Sequence, residues 1–356
     1  MSDVTFIFGA GASKAGGAPL MAEFFDRAES LRRAGDLGGV EEDFKLVAEA
    51  RWELQRTAAK SSLDLYNLEG VFVALEMAQV LSGIGSLSPE RCEEAVAALK
   101  RLIASVLENS MPMKVKEGGV LLPVDGYFGF ARSLKQLLAK DSKRRISLIT
   151  FNYDIGLEHA LQHEGIGWSY GLPSYTRLDA RVGLYKLHGS LNWTTPRQSG
   201  GEIVVAPLDP PPQHEVTLMA RNGRCCLPVA HHLKRAAQGR ETEPIPFLVP
   251  PTDSKLEYRK QLAPVWREAS SRLAMSSSIF VVGFSLPPTD VFFRNFFAVG
   301  SISRTFIERF VVIDPSEEAS LRIRDLVSRD VERRFQWEKR EFMHGLGLID
   351  QLLSRA

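Results

Sequence analysis

The stretch VTFIFGAGASKAGGAPL, residues 4–20, has the pattern of a strand, a tight turn and a helix, around which the rest of the chain is predicted to be arranged. It opens with an apolar, β-branched run that is typical of a buried strand and stops at Gly9. A turn rich in glycine and alanine follows, and a helical pattern begins near Pro19. Gly9 and Gly11 allow backbone N–H groups to approach a phosphate, and a helix behind them points its positive end at the same anion. The pattern predicts a dinucleotide site or, alternatively, a tight strand-to-helix connection, because Lys14 stands where the full GxGxxG motif has glycine.

Length and charge restrict the class of protein. The 356 residues allow one large α/β domain or two smaller ones. The 44 basic and 43 acidic residues give a formal net charge of +1, so we expect neither sequence-specific nucleic-acid binding nor attachment to a membrane. The sequence shows no signal-peptide pattern, and no apolar run reaches the roughly 18 residues of a membrane span. These features predict a cytoplasmic protein.

The cysteines predict no metal site. Cys92, Cys225 and Cys226 are too few and too awkwardly spaced for a disulfide framework. The pair Cys225 and Cys226 has His231 and His232 nearby, which raises a metal site as the alternative. Neither a CxxC nor an HxxxH spacing is present to complete tetrahedral coordination, so we expect reduced, structural cysteines.

Two kinds of pattern divide the chain into domains. Residues 1–34 and 126–356 are predicted to form one dinucleotide-binding domain, and residues 35–125 a helical insertion that makes a second, smaller domain. In the insertion, apolar residues recur at helical spacing and β-branched runs are scarce. Ser88 is predicted to cap one of its helices, with Pro89 at the first helical position.

After the insertion, short apolar runs alternate with helical stretches such as residues 256–275, where Trp266 and Leu273 lie on the apolar side. Nearly uninterrupted apolar runs are typical of strands buried on both faces. The sequence therefore predicts an α/β fold, a Rossmann-like doubly wound parallel sheet covered by helices on both sides. The predicted strands are residues 146–151, 183–187, 203–206, 247–249, 279–283 and 310–313, with a last strand in 334–342 and a helix over 346–353.

Polar and small residues follow these strands. Ligands of open parallel sheets bind outside the carboxyl ends of the strands, so we expect these residues to converge on one crevice. Taken singly, Asn152 and Asp154 could be turn formers, His188 a structural histidine, and Ser285 and Asp314 ordinary loop residues. The candidate site residues are Gly9, Ala10, Gly11, Ser13, Asn152, Asp154, His188, Gly283, Ser285 and Asp314.

Four motifs occur in a fixed order: GAGASKAGGAPL, TFNYD, KLHGSLNW and GFSLPPTD. Together they resemble the sirtuin (SIR2) family, and specifically the bacterial SIR2-like branch that is associated with anti-phage defence. Sirtuins that deacylate proteins carry an Asp-Phe-Arg triplet after the glycine loop and a four-cysteine zinc module, whereas this chain has MAEFF at residues 21–25 and three cysteines. The resemblance implies a SIR2-like NAD-binding domain that hydrolyses NAD to nicotinamide and ADP-ribose without a metal. An NAD-dependent protein deacylase and a non-catalytic NAD or ADP-ribose sensor are the alternatives.

The resemblance, together with the chemistry of NAD cleavage, suggests roles for the candidate residues. Asn152 and His188 match positions that such enzymes need for activity, and Asp154 would add negative charge near the reacting centre. The glycine loop with Ser13 would hold the pyrophosphate, and Gly283, Ser285 and Asp314 would contact phosphate and the adenine ribose. Because uncontrolled loss of NAD kills a cell, we expect a regulated homo-oligomer with a separate sensor protein, for example a HerA-like ATPase or a short Argonaute.

Overall fold

The computed structural model describes residues 3–56, 63–175, 180–195, 201–209, 211–226, 245–250, 258–287, 290–303 and 305–354. The described strands are β1 (Asp3–Phe8), β2 (Met113–Lys116), β3 (Val120–Leu122), β4 (Ile146–Thr150), β5 (Trp168–Ser169), β6 (Val182–Lys186), β7 (Gly189–Ser190), β8 (Trp193–Thr194), β9 (Val204–Val205), β10 (Arg224–Cys225), β11 (Phe247–Leu248), β12 (Ser276–Val282), β13 (Arg309–Ile313) and β14 (Phe335–Glu338). The described α-helices are α1 (Ala10–Lys14), α2 (Phe24–Ala34), α3 (Glu41–Arg56), α4 (Leu68–Val80), α5 (Pro89–Ser110), α6 (Tyr127–Lys140), α7 (Gly156–His163), α8 (Gln213–Met219), α9 (Arg259–Met275), α10 (Val291–Gly300), α11 (Glu317–Arg324), α12 (Arg329–Glu332) and α13 (Phe342–Ser354).

The predicted doubly wound parallel sheet is confirmed. Seven strands are ordered β14-β13-β12-β1-β4-β6-β5, and every neighbouring pair is parallel. From the central β1 the chain continues to β4, then to the edge strand β5 and back to β6 between them. It then crosses to β12 and moves outward through β13 to β14 on the other side. The strand order therefore reverses between β1 and β12, which is where ligands of such sheets bind.

Two predicted strands do not belong to this sheet. Residues 204–205 pair antiparallel with β8, and residues 247–248 pair antiparallel with β7, because short apolar runs indicate extended backbone without specifying a partner. Strands β2, β3 and β10 form a further small antiparallel sheet, and part of it lies within the range predicted as helical insertion. The last strand and the last helix are confirmed as β14 and α13.

The sheet core is aromatic at its centre. Phe6 of β1 contacts Phe130 of α6, with ring centroids 4.8 Å apart, and Phe280 of β12, with centroids 4.9 Å apart. Leu273 of α9 is buried and Trp266 is partly buried against the same core, as predicted, whereas residues 256–257 of that predicted helix lie outside the described residues.

Helices α2 to α5 form a second hydrophobic core. Ser88 caps α5 by accepting a hydrogen bond from the Arg91 amide at 3.3 Å, with Pro89 in the first turn, as predicted. Phe24 and Leu31 of α2 are buried in this core, although they precede residue 35, where the predicted insertion begins. The division of the chain into two domains stays a prediction. None of the described helices combines the length and apolar character that crossing a membrane requires.

The beginning of the first helix differs from its prediction. Helix α1 starts at Ala10, directly after β1, and α2 starts at Phe24, so neither begins near Pro19. The small side chains after Gly9 allow the backbone to coil at once against the Gly283 turn that follows β12.

Candidate functional site

A buried polar cluster joins the carboxyl ends of β1 and β4. Asn152 donates through Nδ2 to the Gly9 carbonyl at 2.8 Å and to Ser13 Oγ at 2.8 Å. Ser13 Oγ donates to Asp154 Oδ2 at 2.6 Å and lies 2.8 Å from the Tyr127 hydroxyl, which Asn152 Nδ2 also reaches at 3.2 Å. The structure thus brings the predicted Ser13, Asn152 and Asp154 together and adds Tyr127 to them.

The directions of these hydrogen bonds follow from chemistry. An ionised carboxylate only accepts, so the single proton of Ser13 goes to Asp154. Ser13 must then accept from both Asn152 and Tyr127, and the Tyr127 oxygen accepts from Asn152. The Tyr127 and Ser13 protons therefore point in sequence toward Asp154, whereas Asn152 Nδ2 directs one proton to the Gly9 carbonyl and shares the other between Ser13 and Tyr127. Burial, reinforced by the Asp154 charge, raises the pKa of Tyr127 well above its usual value and keeps it a neutral donor.

The alternative turn role is present for Asp154. Asp154 Oδ1 accepts from the Gly156 backbone amide at 3.0 Å, at the first residue of α7. The turn at Asn152 is supported by Thr150 instead, whose Oγ1 accepts from the Asn152 backbone amide at 3.1 Å. The Asp154 side chain therefore shapes the local backbone and joins the cluster at the same time.

The glycine loop packs directly against the end of β12. The Gly9 amide donates to the Val282 carbonyl at 3.1 Å, and the Gly11 amide donates to the Gly283 carbonyl at 2.8 Å. A Cβ atom on Gly9 would lie 2.5 Å from the Phe284 Cα, and one on Gly11 would lie 2.9 Å from the Gly283 Cα. This contact explains both glycines without a ligand, and pyrophosphate binding by the loop, which includes Ala10, stays a prediction.

His188 lies at the end of β6, next to the cluster in the sheet. It is buried, and its ring contacts Phe151 at 5.1 Å and Tyr153 at 6.4 Å between centroids. These two residues flank Asn152 in the chain. His188 therefore reaches the loop that carries Asn152 from the side of β6, whereas Ser13 reaches it from the side of β1.

Ser285 and Asp314 follow β12 and β13, on the other side of the switch point. Ser285 is exposed, and its carbonyl accepts from Arg322 Nε at 2.9 Å. Asp314 is buried and accepts from the Ser316 amide at 2.8 Å, and burial raises the pKa of its carboxyl. The described hydrogen bonds do not connect either side chain to the cluster of Ser13.

A cleft opens beside Asp154, between the end of α5 and the beginning of α7. Its walls are mostly apolar, with the titratable side chains of Glu108, Asp154 and His159 among them. The lining includes Leu107, Glu108, Met111, Ile155, His159 and Leu191. Asp154 itself is one of the residues that line this cleft.

Sequence reasoning missed Tyr127 and Lys186. Tyr127 occupies an ordinary apolar position of an amphipathic helix, and nothing in that pattern distinguishes it from core aromatics. Lys186 ends the buried strand β6, and a lysine at such a position is a signal that could have been used, because buried lysines are almost always paired.

Metal ligands do not cluster in the described part of the chain, where no group of three His, Cys, Asp or Glu side chains is placed to hold an ion. Cys92, Cys225 and Cys226 are free thiols, whereas His231 and His232 lie outside the described residues.

No protein-family model and no curated protein matches the chain. Solved structures do match, and one of them is the structure of Sir2Tm bound to a propionylated peptide. The match has 9% sequence identity, covers 99% of this chain and 94% of that chain, and has a TM-score of 0.39. The fold described above therefore rests on the strand order and not on this likeness.

Proposed function

We propose that the protein is an NAD glycohydrolase that releases nicotinamide and ADP-ribose. The observation that carries the proposal is the buried cluster of Ser13, Asn152, Asp154 and Tyr127 at the carboxyl ends of β1 and β4. Its Asp154 residue also lines a mostly apolar cleft. Open parallel sheets bind ligands outside the carboxyl ends of their strands, and β1 also forms one side of the switch point. The resemblance of the four motifs to bacterial SIR2-like proteins supports the same reaction.

The chemistry of the leaving group matches these residues. Nicotinamide is attached to ribose as a pyridinium, so cleavage of the glycosidic bond gives a neutral molecule, and general acid catalysis is not needed. The demand falls on holding the ribose and stabilising positive charge at its anomeric carbon. Asp154, which accepts the hydrogen bond of the Ser13 hydroxyl, would supply negative charge for that purpose.

The remaining steps need a positioned water and a proton acceptor. Asn152 is held by three contacts of its Nδ2 atom, so its amide plane is set before substrate binds. An imidazole titrates near neutral pH, and His188 would accept a proton from the attacking water or a ribose hydroxyl. In this proposal Gly9, Ala10, Gly11 and Ser13 face the pyrophosphate.

The activity would be regulated, because an unregulated NAD hydrolase depletes its own cell. We propose a homo-oligomer that acts in anti-phage defence and is switched on by a separate sensor, such as a HerA-like ATPase or a short Argonaute. Mass photometry with and without the products of neighbouring genes tests this part. A monomer under all these conditions would contradict it.

Nicotinamide release from NAD by the protein, purified together with the products of its neighbouring genes, tests the reaction. We expect turnover by the wild type and its loss in Asn152→Ala and His188→Ala. His214→Ala, whose side chain is 76% exposed, is the matched control and should retain turnover.

Different outcomes separate the alternatives. Equal turnover in wild type, Asn152→Ala and His188→Ala would contradict the roles of both residues. Calorimetric binding of NAD without turnover in the complete assembly would favour a sensor instead. Release of nicotinamide only in the presence of an acyl-lysine peptide would favour a deacylase.

A further inference from the structure

A buried ion pair lies directly behind the loop that carries Asn152 and Asp154. Lys186 Nζ and Glu158 Oε1 are 2.9 Å apart, and each side chain is only 1% exposed. The Lys186 ammonium also donates to the backbone carbonyls of Tyr153, at 3.3 Å, and of Asp154. Its three donors therefore have three acceptors, and two of these belong to the backbone of the site loop.

The ion pair of Lys186 and Glu158 is a poor source of stability for the fold. Removing two charges from water costs several kcal/mol per ion, and apolar residues of similar volume are often as good or better for stability. Glu158 Oε2 is equally buried and, within the described residues, has no hydrogen-bond partner. Burial raises the pKa of the Glu158 carboxyl despite the neighbouring Lys186. The contacts to the loop backbone are what an apolar pair could not replace.

The same network extends to the loop that follows β6. The Tyr170 hydroxyl donates to Glu158 Oε1 at 3.2 Å and lies 3.4 Å from Asn192 Nδ2. Asn192 Oδ1 accepts from Ser190 Oγ at 2.7 Å, two residues beyond His188 in the chain. One buried polar network therefore connects the backbone that carries Asp154 with the segment that carries His188.

We propose that Lys186 is a positioning residue of the site, whose ammonium fixes the backbone of residues 153–154 so that the Asp154 carboxylate meets Ser13. The inference rests on the proposed NAD hydrolysis for its catalytic consequence. The geometric part does not depend on that reaction. Lys186 itself acts only through the loop, because its three acceptors are all groups of the protein.

Two variants separate positioning from stability. Lys186→Met leaves Glu158 as an unpaired buried charge and is expected to be strongly destabilised. The double variant Lys186→Met with Glu158→Leu removes both charges, so its thermal stability should return toward that of the wild type. The matched control is Arg101→Met with Asp43→Leu, which removes a largely buried bidentate pair between α5 and α3.

The double variant should lose activity although it folds. We expect kcat for nicotinamide release to fall on the order of 10- to 100-fold, with a much smaller change in KM. Hydrogen exchange of the peptide covering residues 152–156 should accelerate by about tenfold, because the Gly156 amide depends on the position of Asp154. The control pair should leave both quantities near their wild-type values.

The other outcomes either overturn the positioning role of Lys186 or separate it from a failure of the proposed NAD hydrolysis. Wild-type kcat and wild-type exchange in the double variant would overturn it, and so would loss of kcat with unchanged exchange or an equal loss in the control. If the wild type releases no nicotinamide, the proposed function fails, and the exchange of residues 152–156 alone then decides whether Lys186 positions the loop.

Discussion

Replacing Tyr127 by phenylalanine removes one hydroxyl from the polar cluster and leaves its ring in place. The hydroxyl donates to Ser13 at 2.8 Å and accepts from Asn152 at 3.2 Å. A net contribution of about 0.5–1.5 kcal/mol for each hydrogen bond predicts a loss of about 1–3 kcal/mol in the free energy of unfolding. The lower half of that range is expected, because Asn152 keeps its contacts to Ser13 and Gly9. The ring contacts to Phe8 and Phe342 do not involve the oxygen.

Urea denaturation measures this loss, with an unchanged m value as evidence that the surface exposed on unfolding is the same. Tyr66→Phe is the matched control, since Tyr66 is 74% exposed and the same atom is deleted; its effect should stay within about 0.5 kcal/mol. A loss below about 0.5 kcal/mol for Tyr127→Phe, or one no larger than the control, would refute the stabilising contribution assigned to these two hydrogen bonds.

Three further predictions concern the same edge of the sheet. Ser13→Ala should lower the free energy of unfolding by about 2–4 kcal/mol, which is more than Tyr127→Phe, because it removes the donor to Asp154 as well as an acceptor. Urea denaturation measures this loss, and a loss equal to or smaller than that of Tyr127→Phe would contradict the prediction. Gly283→Ala should lower the free energy of unfolding by at least about 2 kcal/mol, since φ is +58° and the new Cβ would lie 2.3 Å from the Ala12 nitrogen. Gly35→Ala is the control, because φ is +73° but no atom lies within 4 Å of the new Cβ. It should lower the free energy of unfolding only by the backbone strain of about 1–2 kcal/mol. Burial raises the pKa of Asp314, so the folded state binds the proton of this carboxyl more tightly than the unfolded state does. The free energy of unfolding of the wild type, relative to that of Asp314→Asn, should therefore fall as the pH rises from about 4 through the raised pKa. Urea denaturation at pH 4 and pH 7 measures this trend, and the opposite trend would contradict the assignment.

Much of the sheet could be predicted from local patterns. Strands β1, β4 and β12 are apolar on both faces, and this pattern indicates central strands of a parallel sheet before any contact is known. The convergence of Ser13, Asn152 and Asp154 could be predicted as well, because parallel strands place their carboxyl ends at one edge. Both inferences depend on properties of the chain that repeat over short distances.

Features that depend on particular distant contacts could not be predicted. The contact of Asn152 with Ser13 spans 139 positions of sequence, and the register that produces it appears only in the folded sheet. The beginning of α1 depends on the fit between the Gly11 backbone and the Gly283 turn, which a helical periodicity does not contain. Lys186 has the same limitation, because its acceptors are carbonyl groups whose direction the sequence does not encode locally.

The central place of β1 has a consequence for folding during protein synthesis. Residues 3–8 are synthesised long before residues 276–282, which are one of their two partners in the sheet. Pairing with β4 becomes possible once residues 146–150 emerge, but the Gly283 turn that supports the glycine loop exists only much later. Contacts so distant in sequence form slowly. A nascent chain therefore completes its sheet, and the edge at which we propose NAD is cleaved, only after residues 276–338 have been synthesised.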